Sequence, residues 1–255
     1  MLRLLTLNTL YKGDARARLR ALGAILERKE YDVACLQEVM LRHAARLLGQ
    51  AAPTLRHRAS TGAVVLRGGL VIMSRWPITR YKFVGYPPTR PLRPELLIRK
   101  GAQLATIAAP GGDVAVVNTH LSANRDGDWS PGNRYTQVHR RELRRLAELT
   151  ATIPAAAPLL VTGDLNLPRE SELLAAFVTT AGLRDLRAGD REPTYRPTPV
   201  FPTPPALDHV LVRAAPGRPL TGQTRLVFRE AVSLGDGRSV YLSDHYGIEA
   251  DLVVA

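Results

Sequence analysis

Six short stretches carry side chains fit for chemistry, and each lies at one end of an apolar run. Asn8 follows the run 2–7, Glu38 follows 32–36 across Gln37, and Asn118 and His120 close the run that begins at Val114. Gly163-Asp164-Leu165-Asn166 follows 158–162, Asp208-His209 precedes 210–212, and Ser243-Asp244-His245 precedes 247–254. Carboxylates and amides are hard oxygen donors suited to Mg²⁺, which keeps several waters and takes few protein ligands. Histidine, with an unperturbed pKa of ~6.5, moves protons near neutral pH. A carboxylate beside it fixes the tautomer and stabilises the charged ring. Together with a divalent cation, these groups suit water attack on a phosphoryl centre, where charge stabilisation dominates. No Cys/His cluster has zinc-type spacing. Singly, each residue also has a structural reading: Asn8 and Asn166 as turn residues, Asp164 as a helix cap, Glu38 as a solvated side chain. Their collection at the ends of separate strands is the pattern left by one functional rim on a rigid core.

The elements that must position them follow from periodicity. Residues 2–7, 32–36, 158–162, 207–212, 224–232 and 247–254 read as strands. Two hairpins are expected, one joining 63–66 to 70–74 through Gly68-Gly69, the other joining 96–108 to 114–118 through Pro110-Gly111-Gly112. Helical spacing marks 16–28, 41–50, 133–152 and 170–179. The run 193–205 holds six prolines, which excludes a central strand and stiffens a loop. Strands dominate, helices are interspersed and no linker divides the chain, so one α/β domain over 1–255 is expected, with two sheets packed face to face and helices outside.

Composition bounds the function without deciding it. The 255 residues are 45% hydrophobic and 23% charged, the balance of a globular domain rather than of disorder, collagen or coiled coil. No run approaches the ~20 apolar residues of a membrane crossing. Residues 1–5 enter a strand directly, without the ordered regions of a signal peptide, so a cytoplasmic protein is expected. Cys35 is the one cysteine, inside an apolar run, so the fold needs no disulfide. The 35 basic against 23 acidic residues give +12, nearly all from arginine, since lysine occurs only at 12, 29, 82 and 100. Such a surface favours polyanions, but the arginines are dispersed rather than gathered into one run.

In order along the chain, Thr6-Leu7-Asn8, Gln37-Glu38-Val39, Gly69-Leu70-Val71-Ile72-Met73-Ser74-Arg75, Asn118-Thr119-His120-Leu121, Gly163-Asp164-Leu165-Asn166 and Ser243-Asp244-His245 resemble the motifs of the endonuclease/exonuclease/phosphatase superfamily. The resemblance implies a four-layer αββα sandwich and Mg²⁺-dependent hydrolysis of a phosphate ester, with Mn²⁺ as a substitute. It implies Glu38 as main metal ligand with Asn8 beside it and Asp244 near, and Asp164 and Asn166 around the attacking water and phosphoryl oxygens. It makes His245 the general base, Asp208 its orienting carboxylate, and His120 the transition-state stabiliser or leaving-group acid. Asn118, Lys100 and Trp129 are expected to touch substrate, and the loop 125–134 and the proline-rich run to wall the pocket. His209 is expected to be structural, and His43, His57 and His139 to lie on the surface. Leu97-Ile98-Arg99-Lys100-Gly101 and Ser243-Asp244-His245-Tyr246-Gly247 are closest to the neutral sphingomyelinase-like branch. Leu10 and Tyr246-Gly247-Ile248 depart from the apurinic-endonuclease pattern. A sphingomyelinase-like phosphodiesterase is therefore expected, a monomer with peripheral membrane contact acting on a phospholipid headgroup or another soluble phosphodiester, although the few aromatics outside the motifs count against a membrane sphingomyelinase. An endo- or exonuclease acting on DNA or RNA, and a catalytically inactive phosphate-binding scaffold, are the alternatives.

Overall fold

Period-two alternation decides which way each strand faces, and here it assigns every central strand two different jobs. In the computed structural model, which describes residues 1–88, 98–234 and 237–254, strand β1 (Leu2–Asn8) turns Leu2 and Leu4 toward one apolar layer and Leu5 and Leu7 toward another. β1 pairs in parallel with β2 (Val33–Gln37), reached through α1 (Ala15–Arg28). After α2 (Arg42–Ala51) and β3 (His57–Ala59), β4 (Val71–Ser74) pairs antiparallel with both β2 and β3. The chain then builds a second sheet. It begins with β5 (Ile78–Gly85), β6 (Gly101–Ala109) and β7 (Gly112–His120), and α3 (Arg134–Ala151) crosses to β8 (Leu159–Asp164), parallel to β7. Helix α4 (Glu172–Thr180), β9 (Arg184–Asp185) and β10 (Asp208–Arg213) complete that sheet. Strands β11 (Leu220–Val227) and β14 (Gly247–Val254) return to the first, with β12 (Val232–Ser233) and β13 (Ser239–Val240) as a small ribbon between them. The two six-stranded orders are β11-β14-β1-β2-β4-β3 and β5-β6-β7-β8-β10-β9.

The layers follow from three apolar clusters. Leu4, Val33, Cys35, Ile72, Val116, Leu160, Val210 and Ile248 fill the space between the sheets. Leu19, Leu22 and Leu26 of α1 and Leu48 of α2 cover the outer face of the first sheet, against Leu5, Leu36 and Met73. Leu143, Leu146 and Leu149 of α3 and Phe177 of α4 cover the second, against Val117, Val161 and Leu211. The result is the expected αββα sandwich. Toward one end the inter-sheet layer changes character. The alternation that places Leu4, Val116 and Leu160 inside continues to Asn8, His120 and Asp164, all buried. The parallel pairs β1–β2 and β7–β8 end at this rim, with His120 in register with Asp164 and Asp164 with Asp208. Strand register alone thus brings residues 120, 164 and 208 side by side.

Several expected elements change. Residues 63–66 form no strand: their backbone is taken by the start of α2, Arg42 N–H donating to Val64 O and Leu41 bridging Val65. Gly68 and Gly69, both at positive φ (66° and 62°), make a single turn instead of a hairpin, and β3 is the partner of β4. Strand β5 carries no sequence signal, and the strand expected over 224–232 lies at Leu220–Val227. The Pro110-Gly111-Gly112 hairpin is present; of its first strand, Leu96 and Leu97 lie outside the described residues. His43 is exposed and His57 half-buried, but His139 is fully buried, its Nε2 donating to Ser122 O (2.6 Å) and so satisfying a carbonyl of the loop after β7 that α3 covers. His209 is buried as well, its Nε2 donating to Leu167 O (2.9 Å). Among the described residues no helix is long and apolar enough to cross a membrane.

Candidate active site

A cavity of about 360 Å³ opens at the polar rim, lined by Asn8, Glu38, Lys100, His120, Asp164, Asn166, Asp244 and His245. Asp164 is its hub. Oδ2 accepts from Asn8 Nδ2 (3.0 Å) and lies 3.2 Å from His120 Nε2 and 3.7 Å from His245 Nε2, while Oδ1 accepts from Asn166 N–H (3.0 Å). Asp208 stands behind the cavity wall, its Oδ2 accepting from His245 Nδ1 (2.8 Å). That bond leaves Nε2 as the nitrogen that faces Asp164. Glu38 takes Asn8 Nδ2 on Oε1 (3.4 Å) and Tyr11 N–H on Oε2 (3.0 Å). Asp244 is half-buried, with Ser243 Oγ donating to Oδ1 (3.2 Å).

Local backbone explains how such residues reach one point. Leu10, Glu38 and Asn166 all have positive φ (54°, 60° and 50°), the left-handed region that costs a non-glycine residue energy and collects at functional sites. Gly69 makes room for the Glu38 bend, since a Cβ there would sit 3.1 Å from Glu38 Cα. The proline-rich segment is laced to the last motif: Arg196 N–H donates to Asp244 O and Tyr246 N–H to Thr194 O, both 2.7 Å, and Tyr195 bridges His245. Thr194 Oγ1 accepts from the Leu207 and Asp208 amides (2.9 and 3.0 Å), which sets Asp208 at the strand start.

The electrostatics follow from burial and crowding. Burial pushes the Asp208 carboxyl up from its ordinary value, against the pull of His245. Burial acts the same way on Asp164, but His245 and His120 outweigh it and hold that carboxyl well below the usual carboxylate range. For His245 burial favours the neutral ring, and Asp208 and Asp164 overcome it, raising its pKa to about 10. His120 Nδ1 is buried without a hydrogen-bond partner among the described residues.

Three expected substrate contacts fall differently. Lys100 lines the cavity, with Nζ donating to Leu121 O (2.9 Å). Asn118 does not. It is wholly buried between the sheets, giving Nδ2 to Leu36 O and Val71 O (3.0 and 3.1 Å) and accepting from Gln37 Nε2 (2.8 Å), so it ties the sheets together behind the site. Trp129 also faces away, its Nε1 pinning the loop to Asn166 O (3.0 Å) while the ring packs with the α3 layer. Arg125 and the proline-rich segment do wall the cavity. The segment does so through Tyr195, whose ring meets His245 edge-on at 5.0 Å, and through Phe201. Tyr195, Tyr11 and Met40 are lining residues that the sequence reading missed. Tyr195 sits among prolines and Tyr11 beyond the first motif, with no periodicity to flag either.

A sequence model of the Endonuclease/Exonuclease/phosphatase family matches residues 5–245. No curated protein matches at a significant level. Among solved structures, sphingomyelinase C from Streptomyces griseocarneus is 24% identical, covering 98% of each chain with a TM-score of 0.72. A beta toxin from Staphylococcus aureus, the F277A, P278A mutant with bound magnesium ions, is 17% identical over 98% of each chain, TM-score 0.72. D. rerio TDP2, complexed with single strand DNA product, is 19% identical over 98% of each chain, TM-score 0.74.

Proposed function

The chain belongs to the Endonuclease/Exonuclease/phosphatase family, a family of phosphoester hydrolases, and on that premise we propose that it is a sphingomyelinase-like, Mg²⁺-dependent phosphodiesterase working as one domain over 1–255. The observation that carries the reading is the convergence of Asn8, Glu38, His120, Asp164 and His245 on one cavity, with Asp208 behind His245.

The donor set fits a hard cation. Glu38 Oε1 and Asp164 Oδ2 converge on a single polarised donor, Asn8 Nδ2, at 3.4 and 3.0 Å, so two carboxylates face one point where positive charge is stabilised. Oxygen donors, with no cysteine among the described lining residues, suit Mg²⁺, with Mn²⁺ as a substitute. Asp164, Asp208 and His245 also gather within 4.8 Å, but Asp208 and His245 are already joined there by the Nδ1–Oδ2 bond, so Glu38, with Asn8 and Asp244 near it, would hold the cation. A divalent cation held there would supply charge to polarise a phosphoryl oxygen, lower the pKa of nearby water and offset the carboxylates that keep a proton on His245.

The chain's own groups do the rest. Asp208 fixes the His245 tautomer, so proton exchange with the cavity passes through Nε2, where His245 receives the proton of the attacking water. Asp164 and Asn166 orient that water and the phosphoryl group, and His120 stabilises charge on the phosphoryl oxygens or the leaving oxygen. Glu38→Ala is expected to weaken apparent Mg²⁺ affinity at least ~10-fold, with turnover partly restored by excess Mg²⁺. His245→Ala and Asp164→Ala are expected to stay inactive at any Mg²⁺ concentration. Wild-type turnover of Glu38→Ala at low Mg²⁺ contradicts the cation assignment.

The likeness of Lys100-Gly101 and 243–247 to sphingomyelinase-like members supports a phospholipid headgroup as substrate, met by a cytoplasmic monomer at a membrane surface. The net charge of +12 and the likeness to a DNA-product complex favour a second reading, a nuclease. Phosphocholine release from sphingomyelin vesicles supports the first, and acid-soluble nucleotides released from plasmid support the second.

A further inference from the structure

Helix α1 contains one residue that breaks its own pattern. Arg16, Arg20 and Arg28 are exposed, as an amphipathic helix requires, but Arg18 is buried at 5% exposure on the same side as Leu22 and Leu26. A buried charge is normally paired with an opposite one, yet among the described residues no carboxylate pairs with Arg18. Its partners are four main-chain carbonyls instead. Nη1 donates to Thr9 O (2.7 Å) and Leu242 O (2.6 Å), and Nη2 to Leu10 O (2.6 Å) and Lys12 O (2.5 Å). All four η hydrogens of the guanidinium are thereby used.

The carbonyls belong to two segments about 230 residues apart, and each adjoins a different part of the site. Residues 9–12 leave β1 directly after Asn8. The Leu10 amide fills Asn8 Oδ1 (3.1 Å) and the Tyr11 amide fills Glu38 Oε2 (3.0 Å), so this loop fixes the two principal cation-holding side chains. Leu242 leads into Ser243, whose Oγ accepts from the His245 amide (3.1 Å) and donates to Asp244. We propose that Arg18 is a positioning residue, one planar buried cation that locks the loop after Asn8 to the loop before His245 and so keeps the cation-holding and proton-transferring halves of the site in register. Burial lowers the Arg18 pKa from its ordinary value, and Asp244, Asp14 and Glu38 oppose that by favouring the protonated guanidinium. Lysine cannot replace it, having three donors and no rigid fork.

The proposal rests on the phosphodiesterase reading above, and its test separates the two. Arg18→Lys keeps the charge and most of the stem, and Arg18→Met keeps the stem alone. Both are compared with wild type by thermal melting, by Mn²⁺ affinity from the electron paramagnetic resonance of the free ion, and by kcat and KM for bis-p-nitrophenyl phosphate well below the melting range. Arg18→Lys is expected to lose about 100-fold in kcat, the cost of ~1 Å misplacement, with little change in KM and with weaker Mn²⁺ binding. Variants that melt earlier but keep wild-type kcat and Mn²⁺ affinity overturn the proposal, because a purely structural arginine behaves that way. Native-state hydrogen exchange on the unmodified chain needs no variant to fold. The Tyr11 and His245 amides are expected to open together, with one free energy and one urea dependence, and independent openings overturn the clamp. Full activity of Glu38→Ala and His245→Ala contradicts the phosphodiesterase reading itself, whereas their inactivity beside a fully active Arg18→Lys overturns the clamp alone.

Discussion

Asp208→Asn is expected to keep the fold and to lower kcat by about 10⁴-fold, the scale of losing a tautomer-fixing carboxylate. Asn has the same shape, and the backbone contacts that seat residue 208, its amide to Thr194 Oγ1 and its carbonyl from Arg169 Nη2 (2.8 Å), do not involve the carboxylate. Its carboxylate Oδ2 accepts from His245 Nδ1, and Thr194 also favours the charged carboxylate. An amide there accepts less strongly and can turn its own N–H groups toward the ring, presenting the wrong nitrogen to the cavity. The sign of the accompanying pH effect is fixed. Burial lowers the His245 pKa and Asp208 and Asp164 raise it to about 10, so removing Asp208 moves it down and shifts the acid limb of kcat/KM to lower pH. The same raised value gives the metal-free fold a contribution that is complete below the unfolded histidine pKa of ~6.5 and is lost as pH rises through about 10. Asp208→Asn is expected to flatten that loss. A pH–rate profile and a melting series across this window check both, and an unchanged rate with an unchanged acid limb contradicts the orienting role.

Gly163→Ala is expected to cost more than ~4 kcal/mol, a size reached by few substitutions and here caused by backbone strain. Gly163 has φ +138°, and a Cβ on it would lie 1.9 Å from Thr119 O, with Thr119 C and N at 3.0 and 3.1 Å. Those atoms belong to β7, in parallel register with β8, so no side-chain rotation relieves the clash. A domain with ~5–15 kcal/mol of total stability would be left marginal, or β7 and β8 would part at the rim and separate His120 from Asp164. Urea unfolding measures the cost. A loss within ~1 kcal/mol would mean that the strands do not approach so closely at the site.

Much of this architecture was legible in the sequence for one physical reason: a strand buried on both faces and a helix buried on one leave strong periodicities. Leu2, Leu4, Leu5 and Leu7 announce β1, and Leu143, Leu146 and Leu149 announce the inner face of α3. The polar residues closing those runs were legible as a set because catalytic groups at a rim interrupt an apolar pattern where it would otherwise continue. The rest was not legible where periodicity fails. Strand β5 buries fully only Val84 of its eight residues, so it has no alternation to read, and three-residue β3 begins His-Arg. Buried polar groups misled in the other direction. Asn118 was expected at the substrate and His139 on the surface, but their donors are consumed by carbonyls that only the folded chain brings near.

The central claim is that one cation-dependent cavity, with His245 in it, cleaves a phosphodiester. Its most direct measurement is turnover of bis-p-nitrophenyl phosphate by wild type and His245→Ala, each with Mg²⁺ and after EDTA. The account expects turnover only in wild type with Mg²⁺, and its return when Mg²⁺ is restored after EDTA. Turnover that survives EDTA, or that persists undiminished in a folded His245→Ala, would contradict it.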